Sequence, residues 1–149
     1  ALFLIDVYKE TDYQLVIASN YKNTEVITEV LKHRNITFNP LTDENDLNIL
    51  FENAHINALP TFQNTGIKLK LLNTLRQGKF IIANDYMVNE TGLETLCEKA
   101  NTKTEFLSKT AKLFNKDFEV SFVEERKRLL EIFDSKSSAK KIIDLIFKK

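Results

Sequence analysis

The chain has little cysteine, no excess of charge of either sign and no long apolar run. Cys97 is the one cysteine among 149 residues, which excludes an internal disulfide framework and fits a reducing compartment. Lysine plus arginine and aspartate plus glutamate each number 21, so no basic field points to nucleic acid. The apolar runs are only as long as a strand, so none predicts a membrane span. We therefore expect a cytoplasmic globular domain.

Glycine, proline and histidine are also scarce. The three glycines and two prolines all lie between residues 40 and 92, where we predict the ends of strands and helices. His33 and His55 are not spaced as metal ligands, and no Ser-His-Asp set is evident. The sequence thus predicts neither a metal site nor a cofactor.

The first ten residues are typical of the tail of a helix, with Leu2, Ile5 and Tyr8 on one face. They include no methionine, no capping residue and no pattern of a signal peptide. We expect that this chain was cut from a longer protein.

The most informative stretch runs from His55 to Asp85. It predicts a buried strand, a polar turn at 63–66, an amphipathic helix that ends at Gly78, and a second buried strand. Such a unit makes a parallel pair of strands, and a helix that begins beside Gly66 is a natural place for a phosphate.

Strands and helices alternate from Tyr13 to Asp85, and the later part of the chain is predicted to be mainly helical. This pattern predicts an α/β fold, a Rossmann-like parallel sheet with helices on both faces. We expect one domain over residues 1–149, with 116–149 as its C-terminal helical extension. In the first half of the chain we also expect strands at 13–18 and 35–39 and helices at 23–34 and from Thr42. After the central unit we expect a loop at 86–96, an edge strand at 97–100 and a helix through Phe114 that begins with a capping box of Thr102 and Glu105. The last expectations are a charged solvated helix at 123–133, a linker at 135–138 and a final helix at 139–147.

The turn before the central helix has two interpretations. Its backbone N–H groups, with Lys68 and Lys70 in the following turn, suit a pyrophosphate. Alternatively, Asn64 or Thr65 caps the helix and both lysines are solvated, which is the simpler interpretation of the turn alone. The turn is neither a Walker loop nor a Gly-x-Gly-x-x-Gly motif.

Asn73 is a polar residue in an otherwise apolar helical stretch. A buried amide there needs hydrogen-bond partners, and a ribose diol could supply them. The other possibility is that Asn73 faces water.

Three segments carry a resemblance: Leu59-Pro-Thr-Phe, Thr65-Gly-Ile-Lys-Leu-Lys-Leu-Leu-Asn73 and Gly78-Lys-Phe-Ile-Ile-Ala83. In this order they resemble the C-terminal, donor-binding domain of group-1 glycosyltransferases, which have two Rossmann-like domains in the GT-B arrangement. The loop Asn89-Glu-Thr-Gly-Leu-Glu94 is similar to that family's Gly-x-Glu-Gly-Leu loop. The resemblance covers roughly residues 13–115 and implies the same fold.

This sequence departs from the family pattern at two positions. The family's two glutamates, eight positions apart, fall on Thr65 and Asn73. The resemblance implies that Asn73 holds the ribose as an amide, while the catalytic residues stay unknown. The donor-binding residues it implies are Asn64, Thr65, Gly66, Ile67, Lys68, Lys70 and Asn73, with the base near Asn39 and Leu41.

The resemblance also implies parts that this chain lacks. They are the first strand of the fold and the whole N-terminal, acceptor-binding domain. We therefore expect a parent enzyme that transfers a sugar from a nucleotide diphosphate sugar, its donor substrate, and an isolated chain that is inactive. Membrane association, at the inner face, would come through the absent part. The alternative is a degenerate, non-catalytic Rossmann-like module for binding or assembly.

Overall fold

The computed structural model describes residues 1–63 and 68–133. The chain divides into two compact units, Ala1–Lys116 and Asp117–Lys149. The predicted linker at 135–138 and the last predicted helix at 139–147 lie outside the described residues.

The first unit alternates helices and strands, as the sequence predicts. In chain order it contains α1 (Leu2–Tyr8), β1 (Leu15–Ser19), α2 (Thr24–Val30), β2 (Ile36–Pro40), α3 (Glu44–Asn53), β3 (Ile56–Leu59), α4 (Leu69–Gln77), β4 (Phe80–Ala83), α5 (Asp85–Val88), a 3-10 helix (Glu94–Leu96), β5 (Glu98–Lys99) and α6 (Lys103–Phe114).

The described strands form two hydrogen-bonded sheets, and within each sheet the strands run parallel. One sheet has the order β1-β2, with Leu15 opposite Ile36, and the other has the order β3-β4-β5, with Ile56 opposite Phe80. The predicted parallel α/β fold is confirmed. The described strands nevertheless leave β1 and β3 unpaired with each other, which the sequence did not predict.

Side chains cap three of the helices at their N-termini. The Asn23 side chain accepts a hydrogen bond from the N–H of Val26 at the start of α2, and Asp43 does the same for α3. Thr102 and Glu105 form the predicted capping box of α6, in which each side chain bonds the backbone of the other residue. These caps confirm the helix starts that the sequence predicts.

The core of the first unit lies between its helices and β4, which is buried at all four residues. Phe106 of α6 is fully buried and meets the ring of Phe3 edge-on at 5.3 Å. Tyr8 of α1 and Thr110 of α6 share a buried hydrogen bond of 2.7 Å between their hydroxyl oxygens. The helices α1 and α6 are therefore joined by both apolar packing and a polar contact.

One sequence expectation is wrong in the first unit. Residues 86–96 are not a loop, because α5 and the 3-10 helix occupy much of this range. The reason is burial. Met87 and Val88 are almost fully buried, and a helical turn provides hydrogen bonds for the backbone N–H and C=O groups of this segment. Only the residues around Gly92, with φ of +73°, form an open turn.

The second unit contains α7 (Val120–Leu130) and a 3-10 helix (Glu131–Phe133). The expected solvated face is wrong at one residue, because Arg126 is 7% exposed and lies 5.2 Å from the centre of the Phe118 ring. A guanidinium can bury its stem and plane on an aromatic face, so its charge alone does not place it in water. Among the described residues, no helix combines the length and apolar character that a membrane crossing requires.

We expect Gly78→Ala to destabilise the chain, because Gly78 lies where α4 approaches β3 closely. A Cβ there would lie 2.6 Å from Nδ2 of Asn57 and 2.9 Å from the carbonyl oxygen of Thr74. Relief requires movement of the backbone, at a cost of about 1–3 kcal/mol. Thermal unfolding followed by circular dichroism measures the loss. An unchanged melting temperature would contradict this close approach.

Candidate functional site

The main feature of the first unit is a cavity of about 860 Å³ between β1 and β3. Every residue of both strands lines it, so it follows the gap between the two sheets. Helices close it on two sides, with Leu4 of α1 and Phe114 of α6 among its lining residues, as well as Leu50 and Phe51 of α3. The cavity is therefore mostly apolar along its length.

The carboxyl ends of both strands open onto the cavity. Ser19 and Asn20 line it where β1 ends, and Pro60 lines it where β3 ends, while Gln14, Asn53 and His55 line it at the amino ends. From this gap β1 leads to β2 on one side, while β3 leads to β4 and β5 on the other. A point where the strand order turns in opposite directions is where open parallel sheets bind ligands.

Asn84 fixes the backbone at this edge. Its side chain is 5% exposed, accepts a hydrogen bond of 3.0 Å from the N–H of Thr61, and donates one of 2.6 Å to the carbonyl oxygen of Thr61. This reciprocal pair joins the end of β4 to the segment that leaves β3. The chain between β3 and α4 therefore starts from a fixed position.

Lys70, in the first turn of α4, lines the cavity. Its side chain is exposed to solvent, and partial desolvation lowers the pKa of the ammonium group. No carboxylate among the described residues forms an ion pair with it. A cation that is desolvated without a partner favours an anionic ligand.

Asn73 follows Lys70 by one turn of α4, and it also lines the cavity. Its side chain is half-buried and has no hydrogen-bond partner among the described residues, so its amide is free for a ligand. Asn73 thus lies at the cavity with a partly exposed side chain, which is compatible with both possibilities that the sequence leaves open. Lys68 lies at the N-cap of α4, and its ammonium group donates a hydrogen bond of 2.9 Å to the carbonyl oxygen of Gln63.

The other predicted site residues are those of the turn before α4 and those near β2. Asn64, Thr65, Gly66 and Ile67 lie outside the described residues. The described helix α4 begins at Leu69, three positions after Gly66. Asn39 lies within β2 rather than in a loop, whereas Leu41 follows β2 directly and lines the cavity.

The described lining of the cavity is poor in ionisable side chains. Its described lining includes no aspartate and no glutamate. His55 lines it, but its Nε2 atom lies 3.0 Å from the carbonyl oxygen of Leu113 and its ring packs on Phe80. In the described ranges, no group of His, Cys, Asp and Glu side chains is arranged to hold a metal ion.

Sequence reasoning missed the role of Asn84 and the gap beside β1. An asparagine directly after four apolar strand residues was a usable signal for Asn84, because a buried amide there needs partners. The gap had no signal in the sequence. In the structure it is accompanied by exposure of Val16, an apolar residue in the middle of β1 that is 48% exposed.

Comparison with family models, with curated proteins and with solved structures finds no match for this chain. The site is therefore interpreted from its own geometry.

We expect Lys70→Met to preserve or raise the stability of the ligand-free chain at pH 7. The folded-state pKa of Lys70 is lowered, so the charged form costs stability below that pKa; the cost falls as the pH rises above it and is gone above the ordinary pKa of 10.5. Melting temperatures measured from pH 7 to 10 should therefore rise with pH more in the native chain than in the variant. Lys127→Met, at an exposed position of α7, is the control. A clear fall in stability at pH 7 would mean that the Lys70 charge has a compensating partner.

Proposed function

We propose that this chain is the donor-binding domain of a glycosyltransferase and binds the diphosphate of a nucleotide diphosphate sugar at the carboxyl ends of β1 and β3. The observation that carries the proposal is Lys70, a solvent-exposed cation beside a cavity whose described lining has no acidic residue. A diphosphate would supply an anionic partner for this ammonium group, which forms no ion pair with a carboxylate among the described residues.

Asn73 supports the same ligand. It lies one turn along the same helix, so a molecule whose phosphates meet Lys70 can place its ribose near the amide. An amide offers both donors and an acceptor to a diol. The resemblance of the segments around Leu59, Asn73 and Gly78 to group-1 glycosyltransferases agrees with this arrangement, and implies that the base lies near Leu41 and Asn39.

Sugar transfer needs more than this chain. Catalysis in a two-domain cleft requires both substrates to be held and water to be excluded. We propose that the acceptor-binding domain precedes this one in a cytoplasmic parent enzyme and that the isolated chain binds donor nucleotide weakly without turnover. A membrane contact would belong to the other part of the parent enzyme.

The second candidate is a non-catalytic binding or assembly module of the same fold. The specific observation in its favour is the lack of carboxylates in the described lining, together with Thr65 and Asn73 at the family's two glutamate positions. Nucleotide binding and turnover by the complete parent protein distinguish the two candidates, because an assembly module requires neither.

We expect isothermal titration of the chain with uridine diphosphate and with guanosine diphosphate to detect weak binding of at least one. Lys70→Ala should weaken that binding about tenfold or more, since a hydrogen bond to a charged group contributes about 1.5–3 kcal/mol. Asn73→Ala should weaken it less, as expected for loss of neutral hydrogen bonds.

Lys127→Ala, on α7, is the matched control and should leave the affinity unchanged. The nucleosides uridine and guanosine lack phosphates, so their affinities for the native chain and for Lys70→Ala should be equal. If neither diphosphate binds, or if both substitutions leave the affinity unchanged, the proposed site is wrong.

A further inference from the structure

We propose that the cavity is a slot for one further strand, parallel to β1 and β3, and that this strand is the segment of the same polypeptide that leads into α1. The inference goes beyond the proposed function, because it stands on the edges of two strands and on the position of one helix.

The backbone edges of β1 and β3 both face the cavity. The N–H of Leu15 donates to the carbonyl oxygen of Asn35, and the carbonyl oxygen of Ser19 accepts from Leu41, so the odd-numbered residues of β1 pair with β2. Successive residues of a strand turn their backbone polar groups to opposite sides, so those of Val16 and Ala18 point away from β2.

The same reasoning applies to β3. The N–H of Phe80 donates to the carbonyl oxygen of His55, so His55 and Asn57 pair with β4. The polar groups of Ile56 and Ala58 therefore point away from β4, towards the cavity. Among the described residues, none of these inner edges has a backbone partner. Two facing edges with unpaired N–H and C=O groups can accommodate one strand that pairs with both.

The cavity has apolar walls above and below this gap. Leu4, Tyr8 and Phe114 line one part of it, and Leu47, Leu50 and Phe51 of α3 line another. A central strand of a parallel sheet is covered by helices on both faces and carries apolar side chains on both. The slot thus fits an apolar strand of about five residues, the length of β1, which spans about 17 Å.

The orientation of α1 identifies the source of this strand. The ring of Phe3, in the first turn of α1, lies 5.6 Å from the ring of Phe62, which follows the carboxyl end of β3. At the other end of α1, the carbonyl oxygen of Tyr8 accepts a hydrogen bond of 2.9 Å from Asn35, which precedes β2. The helix α1 therefore runs antiparallel to the strands, as the helix of a strand–helix–strand crossover does.

In such a crossover, the strand before the helix lies parallel to the strand after it, joined by a short loop. Ala1 lines the cavity, so a strand in the slot would lead directly into α1.

The test extends the chain at its N-terminus with Lys-Val-Ile-Val-Val-Ser-Gly-Asn, an apolar strand followed by a loop. We expect the melting temperature to rise by about 5 °C or more, the size of shift that ~1 kcal/mol causes in a small domain. The matched control replaces the isoleucine and the final valine by proline, which cannot donate to a neighbouring strand, and should give no rise. The same peptide added in solution at equal concentration should stabilise far less than the tethered one.

A second measurement locates the strand by disulfide formation in a Cys97→Ser background. A cysteine at one of two consecutive central positions of the extension should cross-link to Ala58→Cys, because paired strands lie about 4.8 Å apart, within disulfide range. Without the extension, Ala18→Cys with Ala58→Cys should not cross-link, since a full strand separates them.

Three results would overturn the inference. They are equal stabilisation by the proline extension, equal stabilisation by the free peptide, and ready cross-linking of Ala18→Cys to Ala58→Cys, which would mean that β1 pairs directly with β3. None of these readouts involves a nucleotide, so this inference can fail while the proposed function stands, and the reverse.

Discussion

A parallel strand inside a sheet needs hydrogen-bond partners along both edges. Within residues 1–63 and 68–133, both β1 and β3 are paired on their outer sides, and the edges that face each other have no backbone partner. The cavity, the half-exposed Val16 and the division into two sheets all follow from that arrangement. The helices around it keep the two edges in place through contacts such as that between Tyr8 and Thr110.

The same gap positions the candidate site. Because the strand order turns outwards from it in both directions, the loops at its carboxyl edge are separated and leave room for a ligand. Asn84 holds the segment after β3 through Thr61, and α4 then brings Lys70 and Asn73 to the cavity. A strand in the slot and a diphosphate at its carboxyl edge are compatible, since one would pair with backbone along the gap and the other would lie beyond its end.

Much of the local structure could be predicted because it rests on local chemistry. The capping box of Thr102 and Glu105, the cap at Asn23, the helix stop at Gly78 and the buried strand at Phe80–Ala83 are all determined by neighbouring residues. The helix at Asp85–Val88 was missed because burial of Met87 and Val88, a tertiary effect, decides it. Arg126 was misplaced because an aromatic ring, not its own charge, sets its environment.

The candidate site was predictable only in part. Lys70 and Asn73 were recognised by residue type and spacing, but their place at the cavity depends on how α4 packs. The role of Asn84 depends on a contact with Thr61, 23 residues away, which no local pattern specifies. The gap itself could not be read from composition or periodicity, because it concerns which strands are neighbours.

Amide hydrogen exchange, followed residue by residue by NMR, tests the unpaired edges most directly. In the 149-residue chain without an N-terminal extension, the N–H groups of Val16, Ala18, Ile56 and Ala58 should exchange quickly. Those of Ile17 and Asn57, which point to β2 and β4, should be protected. Equal protection of all six would show that β1 and β3 are hydrogen-bonded to each other, and would contradict an open slot in the sheet.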